Sequence, residues 1–309
     1  ANRQARIVAD NMVFGNKIPY EGAIGTSIAK VFDMTVAASG LPAKRLKQAG
    51  IDYLSATIHS GSHAGYYPDA LQMSIKITFS PADGKLLGAQ IVGYSGVDKR
   101  IDEFSQVIKH SGTVYDLMAL EQAYAPPFSS AKDPVAVTGY VAGNILNGKM
   151  QPLYWRELQA ADWSKVTLVD VRTPDEFALG ALKGAVNIPL DDMRDRMKEI
   201  PRDKPVYLYC GVGLRGYLAS NILLQNGYKE VKNLIGGLKL YKAATTPLPE
   251  PKEFSNYGSS SSDSSKVDHS EHSKDSAEAY TIASSVIPSM RAIKVDACGI
   301  SCPGPIMKL

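Results

Sequence analysis

The chain has 309 residues, 44% of them hydrophobic, with 34 basic against 31 acidic side chains. This length suggests two or three domains of globular composition. A net charge of +3 without a long basic run leaves no footprint for nucleic acid or an anionic membrane surface. No apolar run approaches the roughly 20 residues of a membrane span, and no charged-then-apolar signal segment opens the chain. Three cysteines, Cys210, Cys298 and Cys302, are too few for a disulfide framework; they fit a reducing compartment, with the cytoplasm as default.

Residues 1–148 read as an α+β domain. ANRQARIVADNMVFG is an amphipathic helix that begins without a cap, as if continued from a longer chain. Leu71, Met73, Ile75, Ile77 and Phe79 alternate and so line one face of a strand. PADGK, at 81–85, is a turn, and LLGAQIVGY, apolar on both faces, is expected as a central strand. Two or three helices follow between 98 and 147, the last with Asp133 as cap and Pro134 in its first turn. Strands followed by helices indicate an α+β layer. His59 and His63 stand four apart, which on a helix would make a metal pair. Gly61 between them and the strand before them argue instead for a surface loop, and no metal site is expected.

Residues 151–245 alternate short strands and helices, the pattern of a small α/β domain with a mainly parallel sheet. VTLVDV and PVYLYC are buried strands; TPDEFALG, LDDMRDRMKEI and LRGYLASNILLQNG are helical. Residues 246–290 are rich in Pro, Ser and charge, cannot bury a core, and are expected to be a disordered tether that leaves His269 and His272 solvated. Residues 291–309 are expected to hold a strand and a cysteine-proline turn, read as the truncated start of a further domain.

The chemistry concentrates at YLYCGVGLRG, 207–216. Cys210 ends a strand, and the carboxyl edge of an open α/β sheet is where ligands bind. Gly211 and Gly213 allow the loop Gly211-Val212-Gly213-Leu214 to turn successive N–H groups toward the sulfur. The helix beginning near Arg215 and Gly216 adds its positive end, so negative charge on the sulfur is stabilised. No histidine occurs in 151–245, so an imidazole of its own domain does not activate this thiol. Cys210 to Arg215 is C-x4-R, one residue shorter than the C-x5-R cradle of cysteine phosphatases. It suits a single sulfur better than a tetrahedral oxyanion, which makes a phosphatase or arsenate reductase the weaker alternative.

VDVRTPDEFALG, GAVNIPL, CGVGLRG and NLIGGLKLY resemble the successive motifs of rhodanese sulfurtransferase domains, over nearly all of 151–245. The resemblance implies that Cys210 is the nucleophile carrying sulfane sulfur as a persulfide. It implies too that Arg215 holds the loop and counters charge, and that Asp170 and Arg172 support it structurally. Gly180-Ala181-Leu182 departs from the family's common G-H-I.

TSIAKVFDMTVAASGL, at 26–41, and YAPPFSSAKDPVAVTGYVAGNIL, at 124–146, resemble the dimerisation domain of flavin pyridine nucleotide-disulfide oxidoreductases. The nearest branch is the CoA-disulfide reductases and NADH-dependent persulfide reductases. This implies a homodimer through 1–148, with FAD and NAD(P)H bound by parts of a longer enzyme and CoA a possible ligand. The present chain is expected to lack the G-x-G-x-x-G fingerprint for either dinucleotide. Tyr67 and Tyr124 are candidates for tyrosines that reach a partner's active site, where a phenol can donate a proton, or they serve only the interface. VDACGISCPGPIMKL resembles the opening of TusA-like sulfur carriers, which implies an acceptor role for Cys302. The donors implied are thiosulfate, polysulfide or CoA persulfide. The alternative is a non-catalytic dimerisation and rhodanese-like regulatory module.

Overall fold

The structure, a computed structural model, describes residues 2–247. Helix α1, Asn2–Phe14, buries none of its residues. Strands β1, Ser27–Val31, and β2, Met34–Gly40, form a hairpin. After helix α2, Ala43–Gln48, come strands β3, Leu54–Gly61, β4, Gln72–Phe79, and β5, Leu86–Gly93. They pair in the order β1-β2-β5-β4-β3, antiparallel throughout. The strand apolar on both faces, β5, is the central one, as its composition predicts. Helices α3, Val97–Lys109, α4, Val114–Ala119, and α5, Pro134–Leu146, follow. They bury Phe104, Leu117 and Val135 against Met73, Ile75, Ile77 and Phe79 of β4. Leu71 is exposed and precedes the strand, so the alternation starts two residues later than expected.

Asp133 caps α5 as predicted, accepting from Val135 N at 2.9 Å with Pro134 in the first turn. The same carboxylate pairs with the fully buried Arg100 at 2.9 Å and accepts from Ser129 Oγ. Arg100 also donates to Ser62 O at 2.8 Å and Gly96 O at 2.9 Å. One buried charge pair therefore ties the segment after β3 to the segment before α5.

The second sheet is wholly parallel. Its elements are β6, Gln151–Leu153, α6, Trp155–Ala160, β7, Thr167–Asp170, α7, Pro174–Ala178, β8, Val186–Asn187, and α8, Met193–Arg196. They continue with β9, Val206–Tyr209, α9, Leu214–Gln225, β10, Val231–Leu234, and α10, Gly237–Thr245. The strand order is β6-β10-β9-β7-β8. LDDMRDRMKEI yields only the short α8 and a 3-10 turn over Met197–Glu199. Ile200 precedes Pro201, and a proline drives the residue before it out of helical conformation. Met193, Ile200, Ala219 and Leu223 pack on one face of this sheet; Leu153, Leu158, Leu234 and Leu238 form a second cluster. Both faces of a parallel sheet are thus covered, as its run of apolar residues requires.

Both sheets belong to one compact unit. Met150 and Ile235 enter the core of the first sheet. The Tyr154 hydroxyl donates to Ser55 O at 3.1 Å and accepts from Ser55 N at 3.3 Å. The β3–β4 register pairs His59 with Ser74 and Thr57 with Lys76, on the face opposite Ile58 and Ile75. That second face meets α10: His59, Ser74 and Lys76 line a cavity of about 50 Å³ with Lys239 and Leu240. Among the described residues no helix is long and apolar enough to cross a membrane, and no group of His, Cys, Asp and Glu could hold a metal ion.

Candidate active site

Cys210 follows the last residue of β9, whose neighbours in the sheet are β10 and β7. Apolar packing of Val206 and Leu208 fixes the strand, and the thiol itself is buried, 1% exposed. The chain then turns into α9 within four residues. Gly213, the residue before α9, has φ 109°, where a side chain would be strained. This conformation aims its N–H at the sulfur, donating to Cys210 Sγ at 3.1 Å. Asn233 Nδ2, on β10, donates to Gly213 O at 3.0 Å and holds the turn from the neighbouring strand. Val212 and Leu214 point outward; Leu214 is 64% exposed.

A second turn braces the loop from behind. Gly236 and Gly237 both take left-handed φ, 70° and 59°. Leu238 N donates to Cys210 O at 2.8 Å and Lys239 N to Gly211 O at 3.0 Å. A Cβ on Gly237 would lie 2.6 Å from both Cys210 O and Val212 N. The double glycine therefore lets two backbones touch where any other residue would force them apart.

Arg215, in the first turn of α9, makes a two-pronged ion pair with Glu176 of α7, at 2.6 and 2.7 Å. Glu176 consequently ionises at about pH 2, held there chiefly by the Arg215 hydrogen bonds. The guanidinium is raised above its usual value, first by Glu176, with the nearby Cys210 a lesser contributor. Arg215 thus anchors the loop to α7 and lends the sulfur only part of its charge. Glu176 had a legible signal: it is the glutamate of VDVRTPDEF and the far end of a capping box with Thr173.

Asp170 and Arg172 form a buried pair at 2.6 Å. Arg172 also donates to Gly180 O at 2.9 Å and lies over the Tyr209 ring, its guanidinium 5.9 Å from the ring centre. Burial pushes the Tyr209 phenol well above its usual range, and its oxygen accepts from Leu182 N at 3.1 Å. This cluster supports the strand that delivers Cys210.

Three expectations need correction. Gly211 to Gly216 does carry the G-x-G-x-x-G spacing, after a strand and before a helix. In this loop the Gly213 N–H is given to the Cys210 sulfur and Gly237 packs against Val212 N, so the backbone donors of the turn face a thiol. His59 is not in a surface loop but on β3, half-buried; Nδ1 meets Ser74 Oγ at 2.8 Å and Nε2 meets Gly236 O at 3.2 Å. Burial first, then Lys239, lowers its pKa to about 4. His63 is buried as well, between Ser62 Oγ at 3.0 Å and Pro68 O at 2.9 Å. Strand register and the turn after β3, invisible in a spacing of four, decide both positions.

Tyr67 and Tyr124 are 43% and 51% exposed. Tyr67 packs edge-on against His63, centroids 5.9 Å apart, while the Tyr124 hydroxyl lies 3.1 Å from that of Tyr66. That hydrogen bond raises the Tyr124 phenol above its usual value. Tyr66, overlooked in the sequence, shares the YY pair with Tyr67. Cys298, Cys302, His269, His272, the tether and the terminal segment lie outside the described residues.

Comparison with known proteins follows the same division. Residues 26–135 match the pyridine nucleotide-disulphide oxidoreductase dimerisation domain and residues 154–244 the rhodanese-like domain. The coenzyme A disulfide reductase of Staphylococcus haemolyticus is 38% identical over 145 residues, 47% of this chain and 32% of that protein. The enzyme of Staphylococcus epidermidis is 39% identical over 142 residues, 46% of this chain and 32% of that protein. Reduced Bacillus anthracis CoADR-RHD superposes with a TM-score of 0.76 at 48% identity, over 78% of this chain and 43% of that one. The NAD-dependent persulfide reductase from A. fulgidus gives 0.68 at 36%, over 76% and 42%. The chain spans about a third of the length of the curated relatives it matches and less than half of these two structures. It joins a dimerisation domain of the pyridine nucleotide-disulphide oxidoreductase type to a rhodanese-like domain.

Proposed function

We propose that residues 151–245 are a working sulfurtransferase domain in which Cys210 carries sulfane sulfur as a persulfide. The observation that carries this reading is the Cys210 loop: a thiol at the carboxyl end of a buried parallel strand, bonded by Gly213 N–H and closed from behind by Gly237. With thiosulfate as donor, the Cys210 thiolate attacks the outer sulfur. The S–S bond breaks, sulfite leaves with the electron pair, and a cysteine persulfide anion remains. Cyanide then takes the outer sulfur as thiocyanate and returns the thiolate. Polysulfide or CoA persulfide would load the same sulfur. Gly213 N–H and the start of α9 would stabilise the charge at each stage.

The whole protein, in this reading, is a flavin-dependent CoA-disulfide or persulfide reductase in a reducing compartment, a homodimer through residues 1–148. The relatives' names, the matched dimerisation domain and the order of the two domains support it. FAD and NAD(P)H would be held by parts of the longer enzyme; the G-x-G-x-x-G stretch over 211–216 gives its Gly213 N–H to Cys210, and no step here runs through either cofactor. Tyr67 and Tyr124, exposed on segments that Arg100 and Asp133 tie together, would present phenols to the partner subunit. Cys302, on the TusA-like terminal segment, would accept sulfur from Cys210. If mutating Cys302 in the full-length enzyme left transfer beyond Cys210 unchanged, that relay would be wrong.

The test is thiosulfate:cyanide sulfurtransferase activity beside Cys210→Ser, with intact mass after incubation with a sulfane donor. Thiocyanate formation and a sulfur-sized mass gain, both lost in the variant, are expected. Absence of both in the unaltered chain would favour the regulatory-module reading.

A further inference from the structure

The Cys210 domain contains no histidine, yet one imidazole reaches the turn that braces its thiol loop. His59 stands on β3 of the other sheet, 177 residues before its partner Gly236. Gly236 O can only accept, so the ring hydrogen lies on Nε2. The ring is neutral over the working range, because burial and Lys239 lower its pKa to about 4. Nδ1 is then the acceptor, and the Ser74 hydroxyl, its cross-strand neighbour, donates to it. Gly236 O thus fixes the tautomer, and Ser74 holds the ring orientation.

We infer that His59 is a positioning residue for Cys210: it holds the Gly236–Gly237 turn from the first sheet, and that turn holds the thiol loop. The chain of contacts is short. His59 donates to Gly236 O; Gly237 packs on Cys210 O and Val212 N; Leu238 N and Lys239 N hold the carbonyls of Cys210 and Gly211. Lys239 Nζ donates in turn to Gln72 Oε1 at the start of β4, a second tether to the same sheet. Between these two tethers β3, β4 and α10 leave the cavity of about 50 Å³. Ile235 anchors the start of the turn in the first sheet's core, and beyond it packing is incomplete, so the directional bond adds to apolar contact in setting where the turn sits. The first domain would thereby control how firmly the thiol is enclosed.

The inference rests on the sulfurtransferase reading for its turnover assay, but not for its second readout. His59→Leu removes the donor and keeps an apolar body; His59→Gln keeps an N–H at comparable reach. Three measurements are made on the chain: sulfurtransferase kcat and KM, iodoacetamide alkylation of Cys210 followed by peptide mass, and Tm. For His59→Leu, kcat is expected to fall and Cys210 alkylation to quicken, each by about three- to tenfold, the scale of one hydrogen bond's net contribution. KM should stay within about twofold, and His59→Gln should restore both rates to within about twofold. Unchanged kcat and alkylation in His59→Leu would overturn the inference. Equal losses in both variants that follow a common fall in Tm would also overturn it, by reducing His59 to a structural role. If the unaltered chain shows no turnover while the alkylation difference persists, the sulfurtransferase reading fails and the positioning role stands.

Discussion

Cys210 is held by backbone more than by side chains, and the consequences can be measured one residue at a time. Gly237 has φ 59° and no room for a Cβ between Cys210 O and Val212 N. Gly237→Ala combines left-handed strain with displacement of the loop. We expect a loss of about 1–3 kcal/mol in urea unfolding and a fall in sulfur transfer of more than about tenfold. Wild-type turnover in this variant would show that the double glycine does not brace the thiol. Glu176 makes a different test. Its folded pKa of about 2 lies below its ordinary 4.5, so its ion pair with Arg215 stabilises fully above pH 4.5. That contribution is lost as pH falls from 4.5 toward 2. Both side chains are about one-third exposed, so solvent screening keeps the pair to below about 1 kcal/mol. In Glu176→Gln the loss of stability across this window should shrink, as read by denaturant unfolding at each pH. An identical slope would mean that other carboxylates govern it.

At the scale of elements, capping and burial reinforce each other at the start of α5. Asp133 is both N-cap and the partner of a fully buried Arg100. Removing it leaves an unpaired buried cation and an uncapped helix. Asp133→Ala is expected to cost about 3–5 kcal/mol in urea unfolding. Because Arg100 also holds Ser62 O, limited proteolysis should then open the segments around residues 62–71 and 124–132, which carry Tyr67 and Tyr124. Unaltered cleavage there would separate the ion pair from the placement of those tyrosines. The sequence exposes the cap, because Asp-Pro before an apolar run has a local meaning. It does not expose the buried pair, since Arg100 reads as one polar residue of an amphipathic helix.

For the whole molecule, the two sheets share a core through Met150 and Ile235 and a hydrogen-bonded Tyr154. Residues 2–247 should therefore unfold in one calorimetric transition rather than two. Ile235→Ala, in the last residue before the double-glycine turn, should lower that transition by about 2–5 kcal/mol. Two well-separated transitions in the unaltered chain would show that the shared core does not couple the domains.

The α+β and parallel α/β patterns, the central place of β5, the Asp133 cap and the Cys210 loop follow from the sequence by itself. Each rests on local order: the alternation of apolar residues, turn chemistry, and the positions of glycine and proline. The terminal strand and cysteine of 291–309 are likewise local readings, beyond the described residues. Glu176 against Arg215, Asn233 against Gly213 and His59 against Gly236 were decided only by the tertiary structure. Those partners are 39, 20 and 177 residues apart. Strand order and the docking of α10 on the open face of the first sheet bring them together, and no local pattern encodes either.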